Sequence, residues 1–147
     1  MQAPEWNTED KAGSLERWIA ELNGEARRQF LGAGTHIEII FVFNNAGLME
    51  VVPIVGMEKD DIVRELKSML TERNGYAYIH IAEATASHLD SDAQADSLLV
   101  LAESRDGLST AYFNTVVEQG DKKLLLDAVQ VDGSKLNGRF TGIFKDL

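Results

Sequence analysis

Residues 75–117 read GYAYIHIAEATASHLDSDAQADSLLVLAESRDGLSTAYFNTVV, and this stretch decides the fold. Three apolar, β-branched or aromatic runs (YAYIHIAEA, SLLVLAES, AYFNTVV) are separated by a polar aspartate-rich loop and by Arg105-Asp106-Gly107. Runs of this length bounded by turn residues are strands, and their succession predicts an antiparallel meander. Asp106-Gly107 suits a positive-φ hairpin turn, from which Arg105 is expected to extend to solvent.

Working outward, the positions Leu15, Trp18, Ile19, Leu22, Ala26 and Phe30 recur at helical spacing, with Glu16, Arg17, Glu21, Glu25 and Arg28 on the other side. This predicts an amphipathic helix starting at a serine cap, Ser14, with Thr8 as a second possible cap, and ending at Gly32 or Gly34. Gly24 marks a break or a close approach inside it. Residues 1–13 lack periodicity and read as a flexible arm preceding a single domain, 14–147. Trp6 in that arm folds back onto the domain or onto a partner chain.

HIEIIFVF at 36–43 predicts a strand with Ile37, Ile39, Phe41 and Phe43 facing the core, while Ile40 and Val42 make its second face apolar too. Asn44-Asn45-Ala46-Gly47 and the following LMEVVPIV complete a hairpin, with Pro53 at an edge or strand end. A second helix follows Gly56, carrying Glu58, Asp60 and Asp61 in its first turn, a stripe of Ile62, Leu66, Met69 and Leu70, and a stop at Asn74-Gly75. Beyond the meander, LLLDAVQV at 124–131 and GRFTGIF at 138–144 add a strand and a short edge strand. The expected class is α+β: an antiparallel sheet of six or seven strands with two helices packed on one face.

Composition narrows the function classes. The chain has 147 residues and is 44% hydrophobic, which suits one core. A net charge of −10 repels phosphate backbones, so nucleic acid is not an expected partner. Without cysteine there is no disulfide framework, thiolate nucleophile or thiolate zinc site, and a cytoplasmic location is expected. No secretory signal or long apolar span is visible, so no membrane association is expected. No phosphate-binding glycine loop and no G-x-S-x-G elbow occur, and the sequence implies no cofactor.

The chemistry-bearing side chains are few. Glu83 and Glu103 each close an apolar strand after an alanine, which suggests paired carboxylates. Antiparallel pairing places Glu83 near Leu99 and Glu103 near Ile79, on one face but about 13 Å apart along the strand. His80 shares strand parity with Tyr76 and Tyr78, and with Tyr112 these form a candidate binding face. Asp90, Asp92 and Asp96 invite a calcium reading, although Ala95 and Leu101 stand where an EF-hand loop needs glycine and glutamate. His36, His80 and His88 lack the spacing of local zinc motifs, so no metal site is expected.

LLVLAESRDGLSTAYF and the closing GRFTGIF resemble a group of uncharacterised bacterial and phage-associated proteins in which a strand ending in Glu-Ala is followed by one ending in an acidic-Arg-Asp-Gly turn. The matching positions are Glu83-Ala84 and Glu103 to Gly107; Thr85 stands where that group often has tryptophan. The resemblance implies a bacterial cytosolic protein and carries no activity with it. Two functions are therefore expected as alternatives. One is a non-catalytic module that self-associates as a homodimer or other homo-oligomer, through a sheet edge or an outer face bearing Ile40, Val42, Tyr76, Tyr78 and Tyr112. The other is a small hydrolase or ligand-binding enzyme gathering His80, Glu83, Glu103 and Arg105.

Overall fold

Helix α1 (Lys11–Ala33) leads into strands β1 (Ile39–Asn44) and β2 (Met49–Pro53), helix α2 (Lys59–Glu72), then β3 (Gly75–Ser87), β4 (Gln94–Ser104), β5 (Ser109–Gln119), β6 (Lys122–Leu125) and β7 (Val129–Asp132). The structure, a computed structural model, describes residues 1–87, 94–136 and 138–147, the side chains of 85–87, 94 and 95 excepted. Among the described residues the fold is α+β, two helices on one open antiparallel sheet of seven strands in the order β2-β1-β3-β4-β5, with β6 and β7 both on the far edge of β5. The expected α+β class and strand count are borne out, with the meander β3-β4-β5 at the centre, but the expected placing of both helices on one face is not.

The helices do not share one face. Leu15, Trp18, Ile19, Leu22, Ala26 and Phe30 of α1 pack on Phe43, Ala77, Ile79, Ile81, Leu98 and Val100. Ile62, Leu66, Met69 and Leu70 of α2 pack on Ile40, Val42 and Tyr78, residues of opposite parity on the same strands. Successive strand residues point to opposite faces, so α1 and α2 sandwich the sheet between them. The cause is legible in β1, whose two faces are both apolar: each needs its own cover.

Several boundaries shift for local reasons. Asp10 caps α1 by accepting from Gly13 N at 3.0 Å, one turn ahead of the expected Ser14, which is buried in the helix and donates to Asp10 O at 2.8 Å. The helix runs unbroken through Gly24 and stops at Gly34 in the left-handed region (φ 77°). Strand β1 begins at Ile39, leaving Ile37 exposed, because the Glu83 carboxylate engages Thr35 Oγ1 and His36 N before the ladder starts. The hairpin turn forms as expected: Asn44 Oδ1 accepts from Ala46 N and Leu48 N, and Gly47 takes φ 81°. Trp6 folds back onto this turn, stacked 5.6 Å from Phe43, with its Nε1 donating to Asn45 O at 3.0 Å.

The stretch 124–131 is two short strands. Leu125 pairs Val116 and Val129 pairs Phe113, so the outer strand spends one more residue than β5 over this interval and bulges between them. The terminal GRFTGIF is not a strand: Gly142 sits at φ 82°, and residues 143–146 form a 3-10 turn. Phe140, Ile143 and Phe144 instead lay residues 138–147 over the α2 face as a strap.

Candidate functional site

The α2 face of the sheet holds three of the candidates, Tyr78, His80 and Glu103. Tyr78 and Glu103 are cross-strand partners, and the Tyr78 hydroxyl donates to Glu103 Oε1 at 2.5 Å. The same carboxylate receives Gly142 N of the strap at 3.0 and 3.2 Å, with Ser109 Oγ at 3.5 Å. Burial pushes the Tyr78 phenol far above its ordinary value, and the Glu103 charge and hydrogen bond push it further. Phe144 stacks on Tyr78 at 6.2 Å and Phe140 meets it edge-on at 5.9 Å.

One row along, His80 is 5% exposed and lies edge-on to Phe140, with ring centroids 4.8 Å apart. Its Nε2 stands 3.5 Å from Glu38 Oε1, an ion pair when the imidazole is protonated, and the contact falls outside hydrogen-bond geometry. Arg139 of the strap donates to both Glu38 oxygens, at 2.5 and 3.2 Å. The contact with His80 is the main cause holding Glu38 below the usual carboxylate range; burial opposes it, and the charges of His80 and Arg139 assist it. Both clusters thus fasten the strap to the sheet.

The remaining candidates lie elsewhere. Glu83 pairs with Leu98, one residue from the expected partner, and a one-residue slip reverses the face. It therefore stands on the α1 side, while Glu103 stands on the α2 side. Arg105 is exposed, as expected, and its guanidinium also donates to Leu70 O at 2.6 Å and Gly75 O at 2.9 Å, closing the carbonyl end of α2 where the helix dipole favours a cation. His80, Glu83, Glu103 and Arg105 do not converge.

The tyrosines divide in the same way. The β1-β3 register runs Phe43↔Ala77 and then Asn44↔Gly75, so Tyr76 is the extra residue of a bulge and turns to the α1 core beside Trp6, with ring centroids 5.9 Å apart. Tyr112 packs partly buried on that side as well. Ile40, Val42, Tyr76 and Tyr78 are all buried, beneath the helices and the strap. Asp90, Asp92 and His88 lie outside the described residues; Asp96 is exposed on β4 opposite Thr85. Among the described residues no three histidine or carboxylate groups are arranged to hold a metal ion.

Sequence reasoning missed two features. One is the Glu38-His80-Arg139 group, whose members are scattered along the chain with no local signal. The other is the margin of β2. Leu48, Val51, Val55 and Met57 are 71, 47, 73 and 39% exposed, apolar side chains on the edge strand β2 and on the turns that flank it. Beside it, a cavity of about 160 Å³ opens between the hairpin and α2, lined by Val42, Leu48, Met49, Met69 and the Arg73-Glu50 ion pair. The signal was present in LMEVVPIVGM, which holds one charge in ten residues. Among the described residues no helix is long and apolar enough to cross a membrane. Comparison with protein families, with curated proteins and with solved structures returns no match.

Proposed function

We propose that this chain is a non-catalytic binding module of the bacterial cytosol that works by associating with itself. The observation that carries the reading is the edge strand β2 with its flanking turns, where four exposed large hydrophobic side chains fall within ten residues. Such a patch on a chain of charge −10 is matched better by a second apolar surface than by an anionic partner. The polar side chains that chemistry would recruit have structural partners instead: Glu103 holds the strap, Arg105 closes α2 and Glu83 anchors the chain entering β1. The hydrolase alternative needs His80, Glu83, Glu103 and Arg105 at one site, and their distribution over two faces gives it no support.

Sedimentation velocity over a concentration series tests the proposal. A species heavier than the monomer, growing with concentration through the micromolar range, is expected; a monomer persisting at high micromolar concentration overturns it.

A further inference from the structure

The hydrogen bonds of the first hairpin fix which way each group of β2 points. Asn44 N donates to Leu48 O at 3.0 Å and Ile54 N donates to Glu38 O at 2.9 Å. In an antiparallel ladder, paired residues alternate between bonded and non-bonded sites. The even-numbered residues Leu48, Glu50, Val52 and Ile54 therefore turn their backbone groups to β1. Met49, Val51 and Pro53 turn theirs outward, where no strand follows.

The two margins of the sheet differ in how this exposure is managed. On the far side, the outer strand is broken at residues 126–128 and carries Lys122 and Lys123, devices that discourage strand addition. Along β2 there is neither a break nor a lysine. Its one charge, Glu50, is drawn to Arg73 on the α2 side. Pro53 removes a single outward donor, at the end of the strand.

We propose that two copies join edge to edge through β2, antiparallel and centred on Val51, so that their sheets run on as one. This inference rests on the self-association reading and names its surface. Centred there, Val51 exchanges both backbone bonds with Val51 of the second copy. Met49 N–H meets the Pro53 carbonyl of the second copy, and the symmetric contact repeats it. The missing proline N–H leaves only the Met49 carbonyl without a strand donor. Shifting the register by one residue would aim outward groups at none, and shifting by two would shorten the overlap.

The side chains fit the same two-fold axis, as an isologous interface requires. Val51 lies against Val51, and Met49 against Pro53, extending the row of Phe41 and Phe43 on the α1 side. On the α2 side Glu50 faces Val52, so the two carboxylates do not oppose each other. Leu48, the second most exposed of the large hydrophobics, comes opposite Ile54.

Two variants in the intact chain test this. Val51→Lys places two ammonium groups opposite each other at the axis while leaving the β1 ladder intact, and weakens dimerisation at least about tenfold. Its thermal melt reports that the fold is kept. Val51→Cys exploits the absence of cysteine: paired Cα atoms at a bonded site lie about 5.5 Å apart, within disulfide reach, so mild oxidation links the dimer covalently. Leu124→Cys on the far margin does not link. A wild-type dimer that is disrupted by Val51→Lys and trapped by Val51→Cys supports the inference. A wild-type dimer indifferent to Val51→Lys overturns the β2 pairing but leaves self-association standing. A wild-type monomer at high micromolar concentration overturns both.

Discussion

Asn114 on β5 donates through Nδ2 to Asn23 Oδ1 on α1 at 2.8 Å, a buried contact between residues 91 positions apart. The same amide donates to Leu98 O at 2.9 Å and accepts from Arg27 at 2.8 Å, while Arg27 also reaches Leu126 O in the bulge of the outer strand. One side chain thus ties the helix to the sheet and, through Arg27, to its far margin.

Replacing Asn114 with alanine leaves Asn23 Oδ1 and Leu98 O without their donor and takes a partner from the Arg27 guanidinium. Buried polar groups stranded in this way cost more than the bonds were worth, so we expect a loss of about 2–4 kcal/mol. Urea denaturation with a lower midpoint and an unchanged slope is the expected result; an unchanged midpoint counts against the network.

The Tyr78-Glu103 contact sets behaviour at alkaline pH. The folded-state value of Tyr78 is raised, so its contribution to stability is fully present below the unfolded value of about 10 and is lost as pH climbs beyond it. Wild-type protein should therefore melt at progressively lower temperature above about pH 10, whereas Tyr78→Phe should show a shallower decline. At neutral pH the same variant loses the hydroxyl bond to a buried carboxylate, about 1.5–3 kcal/mol. Parallel melting curves for the two proteins across pH 8–11 would contradict this assignment.

Glu38 governs the acid side. Its folded-state value is lowered, so the stability it contributes is present above the ordinary carboxylate value of about 4.3 and disappears as pH falls through the folded value. Glu38→Gln should be destabilised at neutral pH, where Arg139 and His80 lose their carboxylate, and should converge on wild type toward about pH 3. Hydrogen exchange at the Gly142 amide adds a local readout, since the strap loses its Arg139 anchor in this variant. Equal stability of the two proteins at pH 7 would remove Glu38 from the account of how the strap is held.

Patterns carried on neighbouring residues were legible in advance. The heptad-like spacing from Leu15 to Phe30, the Asn-Gly chemistry at 44–47 and 74–75, and the three apolar runs of 75–117 each encode their own element, because helix period, strand alternation and positive-φ turns are local properties. They yielded the α+β class, both helices and the meander. GRFTGIF misled because alternating aromatics satisfy the strand pattern, while Gly142 at positive φ and the apolar bed beneath Phe140 turn the segment into a packed strap.

The candidate site failed for a different reason. Side-chain facing depends on register and bulges, and each acts on parity: a one-residue difference in pairing carried Glu83 away from Glu103, and one extra residue in β3 carried Tyr76 away from Tyr78 and His80. No local pattern reports either, since both arise from how the strands settle against each other and against the two helices.

By itself the sequence determined the two helices, the first hairpin and the three strands of the meander, and that both faces of β1 must be covered, because propensity and periodicity are properties of the chain. Only the tertiary structure decided that α1 and α2 lie on opposite faces, that Glu38, His80 and Arg139 meet, and that β2 is the unprotected edge, because those depend on contacts between residues distant along the chain.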